Sequence, residues 1–111
     1  MTVYLHDSQG VWIAFRTDQR SRYLFNPDGD WIGWFPWDDE EAVTPAGEYL
    51  GTVLGDRLFA EEHHRYRGDP GYPGAPAYPG QAPYPGAGTY VSLPTGCDDV
   101  PSSLLWPRLV S

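Results

Sequence analysis

The fold of this chain is decided by the stretch Asn26-Pro27-Asp28-Gly29-Asp30-Trp31-Ile32-Gly33. Asparagine, proline and glycine stand at the first, second and fourth positions of a tight turn, where proline fixes φ near −65° and glycine accepts a left-handed conformation. The residues after the turn are aromatic and β-branched, which is typical of a strand. The stretch therefore predicts the turn and the return strand of a β-hairpin.

The same pattern occurs three times in the first half of the chain. The three copies are residues 4–14, 23–33 and 41–51. In each copy a glycine is followed by one variable residue, an aromatic, an aliphatic and a small residue, and the glycines are Gly10, Gly29 and Gly47. One hairpin is only marginally stable in water, so we expect the copies to pack their inner faces together.

A fourth copy is incomplete. Arg57-Leu58-Phe59 predicts its first strand, but no turn and return strand follow. We expect Tyr90-Val91-Ser92-Leu93 to return over the intervening segment and complete the sheet arrangement. The predicted fold is therefore all-β, with repeated antiparallel β-hairpins followed by an irregular Pro/Gly-rich tail.

Composition divides the chain into three parts. Residues 1–68 form the hairpin-repeat domain and hold 12 of the 15 acidic residues and six of the seven arginines. Residues 69–88, which we call the strap, are almost entirely Pro, Gly, Tyr and Ala. Residues 89–111 return to a mixed composition and carry the expected closing strand.

Charge and cysteine usage limit the classes of function. A net charge of −8 over 111 residues argues against binding to nucleic acid or to an anionic membrane surface, because both need a basic footprint. A single cysteine excludes an internal disulfide framework and a cysteine-based zinc site. The first residues lack the features of a secretion signal, and no stretch approaches the roughly 18 apolar residues of a membrane span. We therefore expect a cytoplasmic protein with no direct membrane insertion.

A family resemblance rests on two stretches. They are Trp31-Ile32-Gly33-Trp34-Phe35-Pro36-Trp37-Asp38-Asp39 and Gly47-Glu48-Tyr49-Leu50-Gly51-Thr52-Val53-Leu54-Gly55-Asp56-Arg57-Leu58-Phe59. Both are similar to the bacterial four-fold β-flower domain proteins, small chains of hairpin petals around a pseudo-four-fold axis, some of which carry a Pro/Gly/Tyr-rich segment. The resemblance covers about residues 3–60 and, more loosely, the tail; a fourth petal is not evident. It implies a small pseudo-symmetric β-flower, but no activity and no catalytic residues.

The strap has a six-residue period. Tyr-Pro-Gly occurs at residues 72–74, 78–80 and 84–86, and Tyr66 and Tyr90 continue the spacing. In a polyproline II helix the rings would follow one edge, roughly 19 Å apart. Alternatively, each Tyr-Pro-Gly starts a type II turn, or the segment is a flexible linker. A strap that docks on the hairpins or on another subunit would suit tyrosine, whose ring can be buried while its hydroxyl stays hydrated.

The sequence offers only weak candidates for metal-binding or catalytic residues. Glu61-Glu62-His63-His64 cannot converge on one ion, since adjacent side chains on a strand point to opposite faces; we expect no metal and no cofactor. Asp38-Asp39-Glu40-Glu41 is interpreted as a solvated acidic edge. Asp98 and Asp99 should raise the pKa of the Cys97 thiol. Because no nucleophile, base and orienting group occur at recognisable spacing, we expect the chain not to be an enzyme.

The aromatic residues give the remaining prediction. We expect Trp12 and Trp31 to fill the core and Trp34 to lie on the opposite face from Trp31. The predicted interaction residues are Trp34, Trp37, Tyr72, Tyr78, Tyr84 and Tyr90. They indicate a structural, assembly or protein-interaction module that binds a partner subunit or itself. The alternative is a module that binds a carbohydrate or another flat ligand on Trp34 and Trp37.

Overall fold

The computed structural model describes residues 2–37, 39–65, 67–80 and 82–106. Within these residues the chain forms eight strands and one short helix. They are β1 (Val3–His6), β2 (Trp12–Arg16), β3 (Tyr23–Phe25), β4 (Trp31–Trp34), β5 (Glu41–Val43), β6 (Tyr49–Leu54), β7 (Arg57–Glu61), β8 (Cys97–Asp99) and α1 (Ser102–Leu105). The predicted all-β fold of repeated antiparallel hairpins is confirmed.

The first seven strands form a closed sheet. Neighbouring strands pair antiparallel in chain order from β1 to β7. The sheet closes where His6 of β1 pairs in parallel with Arg57 of β7, and the backbone N–H of His6 donates to the Asp56 carbonyl at 2.9 Å. Closure satisfies strand edges that would otherwise stay unpaired.

Three hairpins share one local geometry. Hairpin 1 is β1 and β2, hairpin 2 is β3 and β4, and hairpin 3 is β5 and β6. Each has a register shift at the same place, between Leu5 and His6, Leu24 and Phe25, and Ala42 and Val43. The turn glycines have φ of +83°, +85° and +91°, and each donates its N–H to the carbonyl three residues earlier. The turns predicted from sequence are therefore confirmed, and glycine is needed for its left-handed conformation.

Hairpin 4 is assembled from two distant parts of the chain. Residues 59–61 of β7 pair antiparallel with β8. The predicted closing strand at residues 90–93 is wrong, because that segment forms no strand. Its Val91 N–H instead donates to the Ser8 carbonyl, and a turn closed by the Cys97 N–H on the Pro94 carbonyl brings β8 to the open edge of β7.

The central core pairs a large aliphatic residue with a small one in two of the hairpins. Leu5 lies opposite Ala14, and Leu24 lies opposite Gly33. All four residues are buried. In hairpin 3 both partners, Ala42 and Gly51, are small. The segment after β8 completes the cluster with Val100 and Leu105.

Helix α1 is fixed to the turn of hairpin 2. The Asn26 side chain is fully buried, and its Nδ2 donates to the Leu105 carbonyl at 2.9 Å. Its Oδ1 accepts the backbone N–H groups of Asp28 and Asp30. Satisfying a buried amide in this way joins the end of the described chain to the repeat.

Substitution of Gly33 by alanine is expected to destabilise the fold. An added Cβ would lie 2.6 Å from the Val43 carbonyl oxygen and 2.7 Å from Leu50 Cδ2, so backbone must move. Overpacking of this kind costs about 1–3 kcal/mol in the free energy of unfolding. Gly51→Ala, whose nearest atoms lie at 3.0–3.2 Å, should cost less. Urea unfolding measures the free energy of unfolding of both variants. A Gly33→Ala protein as stable as the wild type would contradict the prediction.

Candidate interaction surface

In hairpins 1 and 2, the tryptophan two positions after the turn glycine is held in a fixed orientation. The indole N–H of Trp12 donates to the Ala14 carbonyl, and that of Trp31 donates to the Gly33 carbonyl, both at 2.8 Å. A tyrosine from the first strand packs edge-on against each indole: Tyr4 on Trp12 at 5.5 Å between ring centroids, and Tyr23 on Trp31 at 5.8 Å. These edge-to-face pairs stabilise two equivalent aromatic faces. Both indoles are half-buried and lie outside the central cluster, which differs from their predicted role as core fillers.

Rings from the tail region cover these aromatic faces. Tyr84 contacts Trp12 at 6.1 Å between ring centroids, and Tyr72 contacts Trp31 at 5.8 Å. In hairpin 3 the equivalent aromatic residue is Tyr49, and His64 stacks on it at 3.9 Å with the ring planes 9° apart. The chain after β7 therefore passes hairpins 3, 2 and 1 in the reverse of their sequence order.

The strap also covers the turn glycines of hairpins 1 to 3. A Cβ atom at Gly47 would meet the Pro70 ring, and one at Gly29 would meet the Tyr78 ring at 2.6 Å. At Gly10 it would collide with the Gly88 carbonyl. Each turn glycine thus meets two requirements, a positive φ and a surface on which the strap can lie.

The strap backbone departs from a polyproline II helix at its glycines. Gly74, Gly80 and Gly86 have φ of +86°, +81° and +92°, so the continuous helix considered in the sequence analysis is not formed. This is the conformation that glycine adopts at the third position of a type II turn, although the described residues of the strap form no hydrogen-bonded turn. The Tyr23 hydroxyl lies 3.4 Å from the Pro73 carbonyl and 3.2 Å from the Gly74 carbonyl, to which it donates.

Backbone hydrogen bonds hold the last part of the strap on hairpin 1. The N–H of Gly88 donates to the Gly10 carbonyl at 2.8 Å. The Arg57 guanidinium, which is buried, donates to the Thr89 hydroxyl at 3.2 Å and to the Asp7 carbonyl at 2.9 Å. This end of the strap is therefore tied more firmly than its beginning.

A carboxylate joins hairpin 4 to hairpin 1. Asp99 accepts the backbone N–H of Ser8 at 2.8 Å and its hydroxyl at 2.6 Å. Ser8 is 2% exposed, so both donors lack access to water. Charge-assisted bonds of this kind are stronger than neutral ones, and this pair links the turn of the first hairpin to the last strand.

The outer edges of the three strap tyrosines and of Tyr90 face the solvent. Tyr72, Tyr78, Tyr84 and Tyr90 are 65%, 64%, 70% and 66% exposed. Tyr72 and Tyr84 have ring partners in the hairpins, whereas Tyr78 lies over Gly29 with its hydroxyl 3.4 Å from the Asp28 carbonyl. Tyr66, the first residue of the predicted series, lies outside the described residues.

The structure corrects the prediction for Trp34. Its side chain is 3% exposed and the Arg22 guanidinium lies 5.3 Å from its ring centroid, so it has no surface for a ligand. Trp37 is half-buried, and the guanidinium of Arg67 lies 4.4 Å above its ring. One face of the Trp37 indole is therefore covered by a cation–π contact.

Arg67 organises the acidic run beside Trp37. It donates to Asp39 at 2.6 Å and lies 3.7 Å from Glu41. Burial raises the pKa of the Asp39 carboxyl, but the hydrogen bond from Arg67, the hydrogen bond from the Glu41 N–H and the charge of Arg67 together outweigh it, and the pKa lies below its ordinary value. Burial raises the pKa of Glu41. The run is thus partly paired and not only a solvated edge; Asp38 lies outside the described residues.

A cleft of about 270 Å³ adjoins this group. Trp37, Tyr49, His64 and Arg67 line it, together with the carboxylates of Glu41 and Glu48. Burial also raises the pKa of the Tyr49 hydroxyl, which lies 2.8 Å from the Thr52 hydroxyl. The cleft combines aromatic and charged groups, and the sequence pattern indicates only Trp37 and the acidic run for this region.

The remaining candidate groups stay apart. His63 Nε2 lies 4.0 Å from Glu62 and His64 is stacked on Tyr49; across the described part of the chain, no three metal-ligating side chains come together. Burial, with Glu61, Asp98 and Glu62, raises the pKa of the Cys97 thiol. The predicted direction is confirmed, although Asp99 is engaged by Ser8 instead.

Comparison of the chain with protein-family models, with curated proteins and with solved structures finds no match. The resemblance to the β-flower proteins therefore stays a prediction. In the described ranges, no helix has the length and apolar character needed to cross a membrane.

Replacing Asp99 by alanine is expected to weaken the joint between hairpins 4 and 1. The change leaves the Ser8 N–H and hydroxyl buried without their acceptor, and hydrogen bonds to charged groups are worth about 1.5–3 kcal/mol. The control is Asp98→Ala on the same strand, since Asp98 is exposed and such changes stay within about 0.5 kcal/mol. Chemical denaturation measures both; equal stability of the two variants would refute the assigned role of Asp99.

Arg67→Ala is expected to raise the pKa of both Asp39 and Glu41, because Arg67 lowers both. A carboxyl whose folded pKa lies below its unfolded value of 3.8 stabilises the fold at higher pH, and that contribution is lost as pH falls through the folded pKa. The stability difference between wild type and variant should therefore shrink below about pH 4. NMR titration of the carboxyl carbons tests this, with Arg65→Ala as the control; unchanged midpoints in Arg67→Ala would contradict it.

Proposed function

We propose that this chain is a non-catalytic protein-interaction module that binds a partner through the outer edges of its strap tyrosines and of Tyr90. The observation that carries the proposal is the exposure of Tyr72, Tyr78, Tyr84 and Tyr90, each about two-thirds accessible and repeated every six residues. Tyrosine is enriched at protein interfaces because its ring contributes large contact area while its hydroxyl can form hydrogen bonds.

The rigid support beneath these tyrosines favours the same function. Two of the rings rest on indoles that are themselves hydrogen-bonded to backbone carbonyls. A ring that rests on a fixed indole loses less conformational entropy on binding than a ring on a free chain. The strap is also nearly uncharged, with Asp69 as the one ionisable acid in residues 69–88, so few charges are desolvated in an interface.

The ligand-binding alternative has weaker support. Trp34 is buried and cannot stack on a sugar or a flat ligand, and Arg67 occupies one face of Trp37. The cleft beside Trp37 is the place where such a ligand would have to bind. We therefore place protein interaction first.

A double variant of Tyr78 and Tyr90 is the test of the proposed function. Tyr78→Ser/Tyr90→Ser removes two exposed rings but leaves both tyrosine–tryptophan contacts in place. We expect a partner that crosslinks to the wild-type chain in its own cells to be recovered at least about tenfold less with this variant, as for interface hot spots. Quantitative mass spectrometry of the crosslinked material makes the measurement.

The matched control removes exposed apolar side chains elsewhere. Val11→Ser/Leu54→Ser changes residues that are 54% and 41% exposed and lie outside the strap. Its partner recovery should equal that of the wild type. Equal recovery with the Tyr78/Tyr90 variant would overturn the proposal.

A further inference from the structure

Hairpins 1 and 2 carry the same aromatic site, and each site is occupied in the same way. In hairpin 1, Tyr4 and Trp12 hold Tyr84; in hairpin 2, Tyr23 and Trp31 hold Tyr72. Each occupying tyrosine begins a Tyr-Pro-Gly motif. Because the pairing recurs on two separate hairpins, the recognition resides in the local site and not in one chance contact.

The site on hairpin 2 contacts the strap backbone as well as the tyrosine ring. The Tyr23 hydroxyl donates toward the carbonyls of Pro73 and Gly74, the two residues after Tyr72. The turn glycine beside each indole has no Cβ, and strap atoms fill that space. An aromatic platform, a hydroxyl donor to backbone carbonyls and a bare glycine together suit an extended, proline-containing segment with tyrosine as the anchor.

The contacts of the described residues between 70 and 86 are those of an exchangeable ligand. Tyr72, Tyr78 and Tyr84 remain 65%, 64% and 70% exposed, and the side-chain polar contacts that join this part to the hairpins measure 3.2–3.4 Å. Among the described strap residues, the first backbone–backbone hydrogen bond to a hairpin is that of Gly88. Exposed, sparsely bonded segments of this kind open locally at low free-energy cost.

A second copy of the chain carries the matching ligand. Its strap has the same three Tyr-Pro-Gly motifs and so presents identical rings to identical sites. Each chain has a net charge of −8, which disfavours contact between two hairpin domains. The strap has one acid in residues 69–88, so its approach to another copy is not opposed in the same way.

We propose that the aromatic faces of hairpins 1 and 2 are binding sites for Tyr-Pro-Gly segments, and that a second copy of this chain supplies its strap to them in exchange for the resident one. The inference goes beyond the proposed function, because it concerns the inner side of the strap and names a different partner. The two proposals are tested with different variants, so either can be refuted without the other.

Complementation between two full-length variants tests the exchange. Trp12→Leu/Trp31→Leu removes the sites and leaves the strap, whereas Tyr72→Ser/Tyr84→Ser leaves the sites and removes their ligands. Native mass spectrometry should show a one-to-one complex in the mixture and in neither variant alone. Adding the first variant should also shift the indole N–H NMR signals of Trp12 and Trp31 in the second, while the signal of the buried Trp34 stays in place. A mixture of folded variants with no complex and no shift would overturn the inference.

A peptide of residues 69–91 covers the case in which the tryptophan variant fails to fold. Titrated into folded Tyr72→Ser/Tyr84→Ser protein, it should shift the same two indole signals. The peptide with Tyr72→Ser/Tyr84→Ser should bind at least about tenfold more weakly, since each aromatic pair contributes to binding. The Tyr90→Ser peptide is the matched control and should bind like the wild-type peptide. No binding by the wild-type peptide, or equal binding by all three, would refute the inference and leave the Tyr78/Tyr90 test unaffected.

Discussion

The open edge of β7 is the constraint on which the rest of this structure depends. Three hairpins follow one another along the chain, but the fourth has only its first strand in place when β7 ends at Glu61. β1 satisfies this edge only at Arg57, and an unpaired stretch from residue 59 onward would remain a site for aggregation. The return strand arrives at Cys97–Asp99, so residues 62–96 have to cross the surface of the whole repeat before the sheet is complete.

This long connection gives the hairpins a second hydrophobic layer. A domain of this size buries a modest share of its surface, and the buried residues of the central cluster are aliphatic except for Phe35. Phe15, Phe25, Trp34 and Phe59 are buried outside that cluster, and the strap then partly covers Trp12 and Trp31. The segment that delivers β8 therefore also shields aromatic surface that the hairpins cannot cover themselves.

The hairpins were predictable because turn chemistry is local. Glycine at a fixed offset, with proline two residues before it in hairpins 2 and 3, specifies the turns, and the repeat fixes three copies at once. β8 was missed because its residues, Cys97, Asp98 and Asp99, have poor strand propensity, and pairing with β7 overrides that preference. A usable signal was present in Leu93-Pro94-Thr95-Gly96, which has the proline and glycine offsets of the other turns.

The candidate surface was only partly predictable. The period of the tyrosines indicated a docked strap, but which hairpin each ring meets depends on the path of the chain in three dimensions. Trp34 was assigned to the surface because Trp31 was assigned to the core and side chains alternate along a strand; in the fold Trp31 is half-buried and Trp34 is buried. His64 on Tyr49 has no counterpart in the Tyr-Pro-Gly pattern, so sequence spacing could not reveal it.

The spacing of the strap contacts ties the length of the tail to the number of hairpins. Tyr72 and Tyr84 are 12 residues apart and meet indoles that are 19 residues apart, so one hairpin corresponds to two Tyr-Pro-Gly units. A duplication of hairpin 1 or 2 would leave the aromatic face of the new copy bare unless two such units were gained with it. The length of the strap is therefore coupled to the spacing of the two hairpins whose indoles it covers.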